Sequence, residues 1–244
     1  MRRTMPSRAS GPKPTTSDIL QQLEAHATPK DLANLQRFGI TSANALGISM
    51  ANVQKVARGI GRDHATAEEL WASGVYEAKL LAAYVDEPAA VTVAQMDRWC
   101  RDFDSWGICD TLCFVLFDRT PHAWRCVDRW AKGKPEFVRR ASFALMASLA
   151  VHDKAAEDTL FAERLPLIEE AASDERDLVR KGVSWALRTT GRRNPALHRA
   201  ALAVATRLAA SSGAGARWVG KDALRDLNGA VATRTVQKRT AKKR

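Results

Sequence analysis

The sequence predicts an all-α protein made of repeated pairs of short helices, and three observations carry that prediction. Apolar residues recur at helical spacing along most of the chain, and no stretch alternates apolar and polar residues convincingly over the length of a strand. Glycine and proline divide the chain into segments of roughly 10 to 17 residues with short connections.

Residues 17–27 (SDILQQLEAHA) open the series behind a Thr/Ser entry, with Ile19, Leu20 and Leu23 as the apolar side. ANVQKVARGIG (51–61) repeats the pattern and closes on Gly59 and Gly61; TAEELWASG (66–74) and VYEAKLLAAYV (75–85) follow, the latter stopped by Pro88. VAQMDRWCRDF (93–103), CDTLCFVLF (109–117) and HAWRCVDRWAKG (122–133) continue the period. Pro135 suits the first turn of PEFVRRASFALMASLAV (135–151), the most apolar segment. RLPLIEEAAS (164–173) and RDLVRKGVSWALRTTG (176–191) come next, and Gly191 with Pro195 sets off PALHRAALAVATRLAA (195–210).

A pair of such helices cannot bury its own apolar face, so the pairs are expected to stack side by side, with a spacing of roughly 35 to 45 residues. The expected architecture is an α-solenoid of antiparallel helix pairs over residues 17–230, in one curved domain; a compact bundle is the alternative.

The chain carries 38 Lys and Arg against 27 Asp and Glu, a formal charge of +11. Arg2, Arg3, Arg8 and Lys13 lie in an acid-free stretch over 1–16, and Arg234, Lys238, Arg239, Lys242, Lys243 and Arg244 in another over 231–244. Both are expected to be flexible basic tails around a nearly neutral body. Within that body, residues 17–100 hold 7 basic and 10 acidic groups and residues 101–230 hold 21 and 17, so the later helices are the expected face for an anionic ligand. No apolar run approaches the ~18 residues of a membrane helix, and the basic N-terminus has no apolar core, so a soluble, cytoplasmic, monomeric protein is expected. Cys100, Cys109, Cys113 and Cys126 form no C-x-x-C pair and have no histidine at ligand spacing; they read as buried free thiols, with no metal and no cofactor.

Two constellations stand out. In 98-RWCRDFDSWGICDTLC-113, Trp106 and Asp110 are four apart, which puts an indole and a carboxylate on one helix face. In 180-RKGVSWALRTTGRRN-194, Trp185 is flanked by Arg180, Lys181, Arg188, Arg192 and Arg193, a pattern suited to sugar packing and phosphate contact. Arg139 and Arg140 also open a strongly apolar helix. Taken singly, each also reads as a core anchor, a helix cap or a dipole partner.

SWGICD, EFVRRASFALMASLAVHDK and VRKGVSWALRTTGRRN resemble the core motifs of the AlkD-like DNA alkylation repair glycosylases, which have HEAT-like repeats. FGITSANALGIS, ELWASGVYEAKLLAAYV and FDRTPHAW extend the likeness over most of residues 17–228. By position, the resemblance implies Trp106, Asp110 and Trp185 as catalytic residues, with Arg140 and Arg188 in the site beside them; Lys181, from the basic flank of Trp185, joins those two arginines as the expected DNA contacts. One departure is Gly107, where relatives often carry an acid; glycine there is expected to loosen the helix start by roughly 0.5–1 kcal/mol relative to alanine. The implied reaction is hydrolysis of the N-glycosidic bond of N3- or N7-alkylated purines in duplex DNA, the base staying stacked. A carboxylate beside the sugar would stabilise oxocarbenium character, and a cationic base needs no acid to leave.

Three other readings compete. The segment 58-RGIGRDHATAEELW-71 superficially resembles the hairpin of helix-hairpin-helix glycosylases. Asp102, Asp104 and Asp110 suggest a metal nuclease, without a strong ligand spacing. A non-catalytic helical scaffold that binds DNA or protein is the alternative from another class.

Overall fold

The computed structural model describes residues 13–230 and Ala232, and every regular element among them is helical. The tails expected over 1–16 and 231–244 lie almost wholly outside the described residues. By their contacts the helices gather into two compact units, the first ending at Asp86 and the second beginning at Glu87.

The first unit holds α1 (Thr16–Glu24), α2 (Pro29–Arg37), α3 (Met50–Ile60), α4 (His64–Ala72) and α5 (Tyr76–Val85). Side chains of Thr15, Thr28, Ser49 and Asp63 accept backbone N–H groups at the starts of α1 to α4. Glu77 has no exposed surface, and its carboxylate accepts the N–H groups of Leu46, Gly47 and Ile48 at 2.9, 2.8 and 3.2 Å. That buried anion ties the 40–49 loop to α5 and thereby seats the start of α3. Gly61, with φ +81°, ends α3, so the Gly-x-Gly of 58–62 closes a helix.

The second unit runs through α6 (Val93–Arg101), α7 (Trp106–Val115), a 3-10 turn (Phe117–Arg119), α8 (Ala123–Trp130), α9 (Glu136–His152), α10 (Asp158–Ala162), α11 (Leu165–Ala171), α12 (Asp177–Gly191), α13 (Pro195–Ala209) and α14 (Ala214–Leu227). Its repeat is written in lateral bonds at constant sequence separation. Asp110 meets Arg140 and Asp118 meets Ser148, both 30 residues on, so the α7 segment and α9 run parallel in fixed register. Arg140 meets the carbonyl of Leu178, and Ser184 meets Asp222, both 38 on, which carries the row through α12 to α14. A second row joins Trp130 to Asp97, Arg164 to Asp128 and Arg207 to Glu169, at separations of 33, 36 and 38. These separations of 30 to 38 residues overlap the lower end of the spacing estimated from the sequence.

The helices expected from periodicity are present, but α2, α10 and α14 are additional. α2 contributes no buried residue, and its apolar side is only Leu32 and Leu35, too short a stripe to stand out in the sequence. α10 is a single turn of 5 residues. α14 carries Gly215 and Gly220, which resemble breakers in sequence; a Cβ on Gly220 would lie 2.2 Å from the backbone nitrogen of Ala209, so this glycine lets α13 and α14 touch backbone to backbone. α9 sits at the centre of the unit, buried from Arg140 to Ala150. The four cysteines are buried and free, and burial pushes the Cys126 thiol up to about 11. Among the described residues, no helix is long and apolar enough to cross a membrane.

Candidate functional site

The α7 segment carries a stripe at four-residue intervals: Trp106, Asp110, Phe114 and, in the turn that follows, Asp118. Four-residue steps keep neighbouring members on one helix face, so Trp106, Asp110 and Phe114 are presented together. Ser105 caps the helix, its Oγ accepting the N–H of Ile108 at 3.4 Å, and Trp106 is the first helical residue. Gly107 is helical and buried, so the helix start expected to be loosened there is formed and capped.

Asp110 is held by a bidentate bond from α9. Arg140 Nε donates to Oδ1 at 3.0 Å and Nη2 to Oδ2 at 2.7 Å, while Nη1 donates to the carbonyl of Leu178 at 2.6 Å. The guanidinium side chain is 8% exposed and the carboxylate 20%, so the pair turns its anionic member outward. Burial pushes the Asp110 carboxyl above its ordinary value, against the pull of Arg140. For Arg140, burial alone would lower the value, but the charge and hydrogen bonds of Asp110 outweigh it and keep the guanidinium firmly protonated. A fork-to-fork bond of this kind fixes the plane of the carboxylate as well as its position.

Trp185 reaches the stripe from α12 through Phe114, the two rings stacked at 4.8 Å and 4° between planes. Phe114 is the residue that sequence reading missed; extending the 106/110 spacing by one turn would have found it. It also meets the His152 ring edge-on at 5.3 Å. Trp106, Asp110 and Trp185 therefore belong to one three-helix assembly in the second unit, with Phe114 linking the second indole to the helix that carries the carboxylate.

The expected cations divide. Lys181 is 55% exposed and pairs with Asp177 at 2.6 Å, within its own helix. Arg188 donates to the carbonyl of Ser184 at 3.3 Å and lies 3.5 Å from both Asp222 and Asp226 on α14, with 29% of its side chain exposed. Arg140 is engaged inside the fold, as described. Of the other cations around Trp185, Arg180 lies over the Trp218 ring, Arg192 pairs with Asp226, and Arg193 is buried against the end of α9. The basic face is thus largely matched by local acids, which the charge count alone did not reveal. Asp102 and Asp104 are exposed, and no group of three His, Cys, Asp or Glu side chains among the described residues is placed to hold a metal ion.

A family model for DNA alkylation repair enzymes matches residues 19–227. Among solved structures, the chain is similar to a protein from a family related to the HEAT-like repeat DNA glycosylases with affinity for branched DNA structures. The two share 19% identity and a TM-score of 0.68, over 78% of this chain and 82% of the other. This similarity shows the fold, a HEAT-like helical repeat. Two designed armadillo repeat proteins, one in complex with a (KR)4 peptide, align at a TM-score of 0.38, with 13% and 11% identity over 88% and 92% of this chain and 100% and 87% of theirs. No curated protein matches.

Proposed function

Since the chain belongs to the DNA alkylation repair enzyme family, we propose that it is a glycosylase that hydrolyses the N-glycosidic bond of cationic N3- or N7-alkylated purines in duplex DNA. The observation that carries this reading is Asp110, a partly exposed carboxylate clamped by a buried guanidinium, on the helix whose Trp106 and Phe114 flank it one turn to either side.

As the bond between C1′ and the purine nitrogen breaks, its electron pair goes to the base, which leaves neutral, and positive charge develops on the sugar. Asp110 faces that charge, and its orientation, fixed by Arg140, costs no reorganisation at that moment. The indoles of Trp106 and Trp185 offer electron-rich faces to the cationic nucleotide. Water attacking C1′ completes the exchange, leaving an abasic site and a proton to solvent. Leaving the base stacked removes the need for an enclosed base pocket. Lys181 and Arg188 contact backbone phosphate, and Arg140 acts through Asp110.

Incubation of the protein with duplex DNA containing 7-methylguanine should release the free base; no release under single-turnover conditions overturns the enzyme reading. The second reading, a scaffold that binds DNA without cutting it, is supported by the structural relative with affinity for branched DNA. Tight binding of branched duplexes without base release would favour it.

A further inference from the structure

The stripe on α7 ends in a second carboxylate whose pair is built the other way round. Asp118 has no exposed side-chain surface; its Oδ2 accepts Ser148 Oγ at 2.6 Å and faces His152 Nδ1 at 2.5 Å. The other oxygen, Oδ1, is buried without a hydrogen bond, with Arg119 Nε 3.9 Å away. A carboxylate so deeply buried and so sparsely bonded favours a cationic neighbour. The basic side chain that lies against it is His152, and 44% of that side chain is exposed.

Both acids of the stripe are thus backed by a basic side chain of α9, twelve residues apart at Arg140 and His152. At Asp110 the guanidinium is buried and the anion looks outward. At Asp118 the anion is buried and the imidazole looks outward. Between them lies the aromatic stack, for His152 stands edge-on to Phe114, and Phe114 lies on Trp185. With Nδ1 turned to Asp118, the imidazole directs Nε2 to the other side of its ring.

We infer that His152, held by Asp118, is a phosphate-binding residue that takes a backbone phosphate within a few nucleotides of the damaged one. The chemistry at the two ends of the face matches the two charges of a strand: an anion for the sugar that becomes cationic, a cationic N–H donor for the phosphate. The eight residues from Asp110 to Asp118 rise roughly 12 Å, too far for one sugar and its neighbour atoms but within a few nucleotides of strand. Asp118 is a positioning residue and touches no DNA. This inference rests on the DNA-repair reading of the same face, yet its test does not require excision.

The full chain is titrated with undamaged duplex between about 50 and 200 mM salt at about pH 6. Replacing His152 by Gln should make the log–log salt slope shallower by about 0.9, the share of one phosphate contact. His152→Arg, which keeps a cation beside Asp118, should restore the wild-type slope. An unchanged slope in His152→Gln overturns the inference, as does a loss that His152→Arg leaves unrepaired, because only packing would then have been lost. Excision assayed on the same preparations separates the two readings. A changed slope without excision keeps the phosphate contact and removes the glycosylase; excision with an unchanged slope does the reverse.

Discussion

Asp110 is under two opposed pressures, burial that favours its neutral form and a bidentate guanidinium that favours its charge. Only the ionised form can stabilise a cationic sugar, so Asp110→Asn should lower single-turnover excision by about 10²-fold or more while changing duplex affinity little. Because the folded value is raised, protonation sets in at higher pH than for an ordinary aspartate near ~3.9. Excision should therefore fall on the acid side, beginning above that value, and Asp110→Asn should lack this limb in a pH–rate profile. The same sign makes ionising Asp110 a cost to the fold, one that grows as pH rises through the raised value. Arg140 is predicted to behave as the support of this group. Arg140→Ala leaves the partly exposed Asp110 carboxylate without its clamp and should cost about 2–3 kcal/mol in denaturant unfolding, with excision lost and the salt slope of binding kept. Lys181→Ala and Arg188→Ala should instead flatten that slope by about 0.9 each. Equal flattening by Arg140→Ala would return Arg140 to the phosphates.

Among the elements, α9 matters most, since it supplies both Arg140 and His152 and lies buried along its middle. Its C-terminal end is finished from another helix pair. Arg193, 8% exposed, donates through Nη1 to the carbonyls of Ala150 and Asp153 at 3.2 and 2.7 Å and through Nη2 to Ala156 at 3.0 Å, with its guanidinium 4.1 Å from the Phe161 ring. Carbonyls at a helix end need such donors, and a cation there also suits the helix dipole. Arg193→Ala should destabilise the protein by about 3 kcal/mol in thermal or denaturant unfolding, and Arg193→Lys should recover little, since an ammonium cannot serve the diverging carbonyls as a planar fork does. A near-neutral effect of Arg193→Ala would show that water replaces it freely. In sequence this arginine belonged to the basic surround of Trp185; its direction was settled by the helix it caps.

At the scale of the molecule, the lateral bonds at separations of about one repeat give each helix row its register, and the row α7, α9, α12 assembles the site. The charge of the body is nearly balanced, whereas residues 231–244 alone carry six cations and no acid. Deleting those residues should weaken binding to undamaged duplex and flatten its salt dependence, while the single-turnover excision rate at saturation stays within about two-fold, because counterion release is independent of the reacting atoms. A matching fall in that rate would tie the segment to the site.

The sequence by itself determined the helical class, through apolar periodicity, and the shared face of Trp106 and Asp110, through a spacing of four residues. The same rule contains Phe114 and Asp118. Trp185 came to the site only by resemblance to a family, because no spacing rule connects residues on different helices. Tertiary structure decided what each charge does: Arg140 turned inward to clamp Asp110, Arg193 to cap α9, Arg188 between two aspartates, His152 outward over a buried carboxylate. The physical reason is that periodicity reports which face of a helix is buried, whereas the partner of a charged group depends on the register between helices. That register is fixed by packing and lateral bonds between residues 30 to 38 positions apart, beyond the reach of any local pattern.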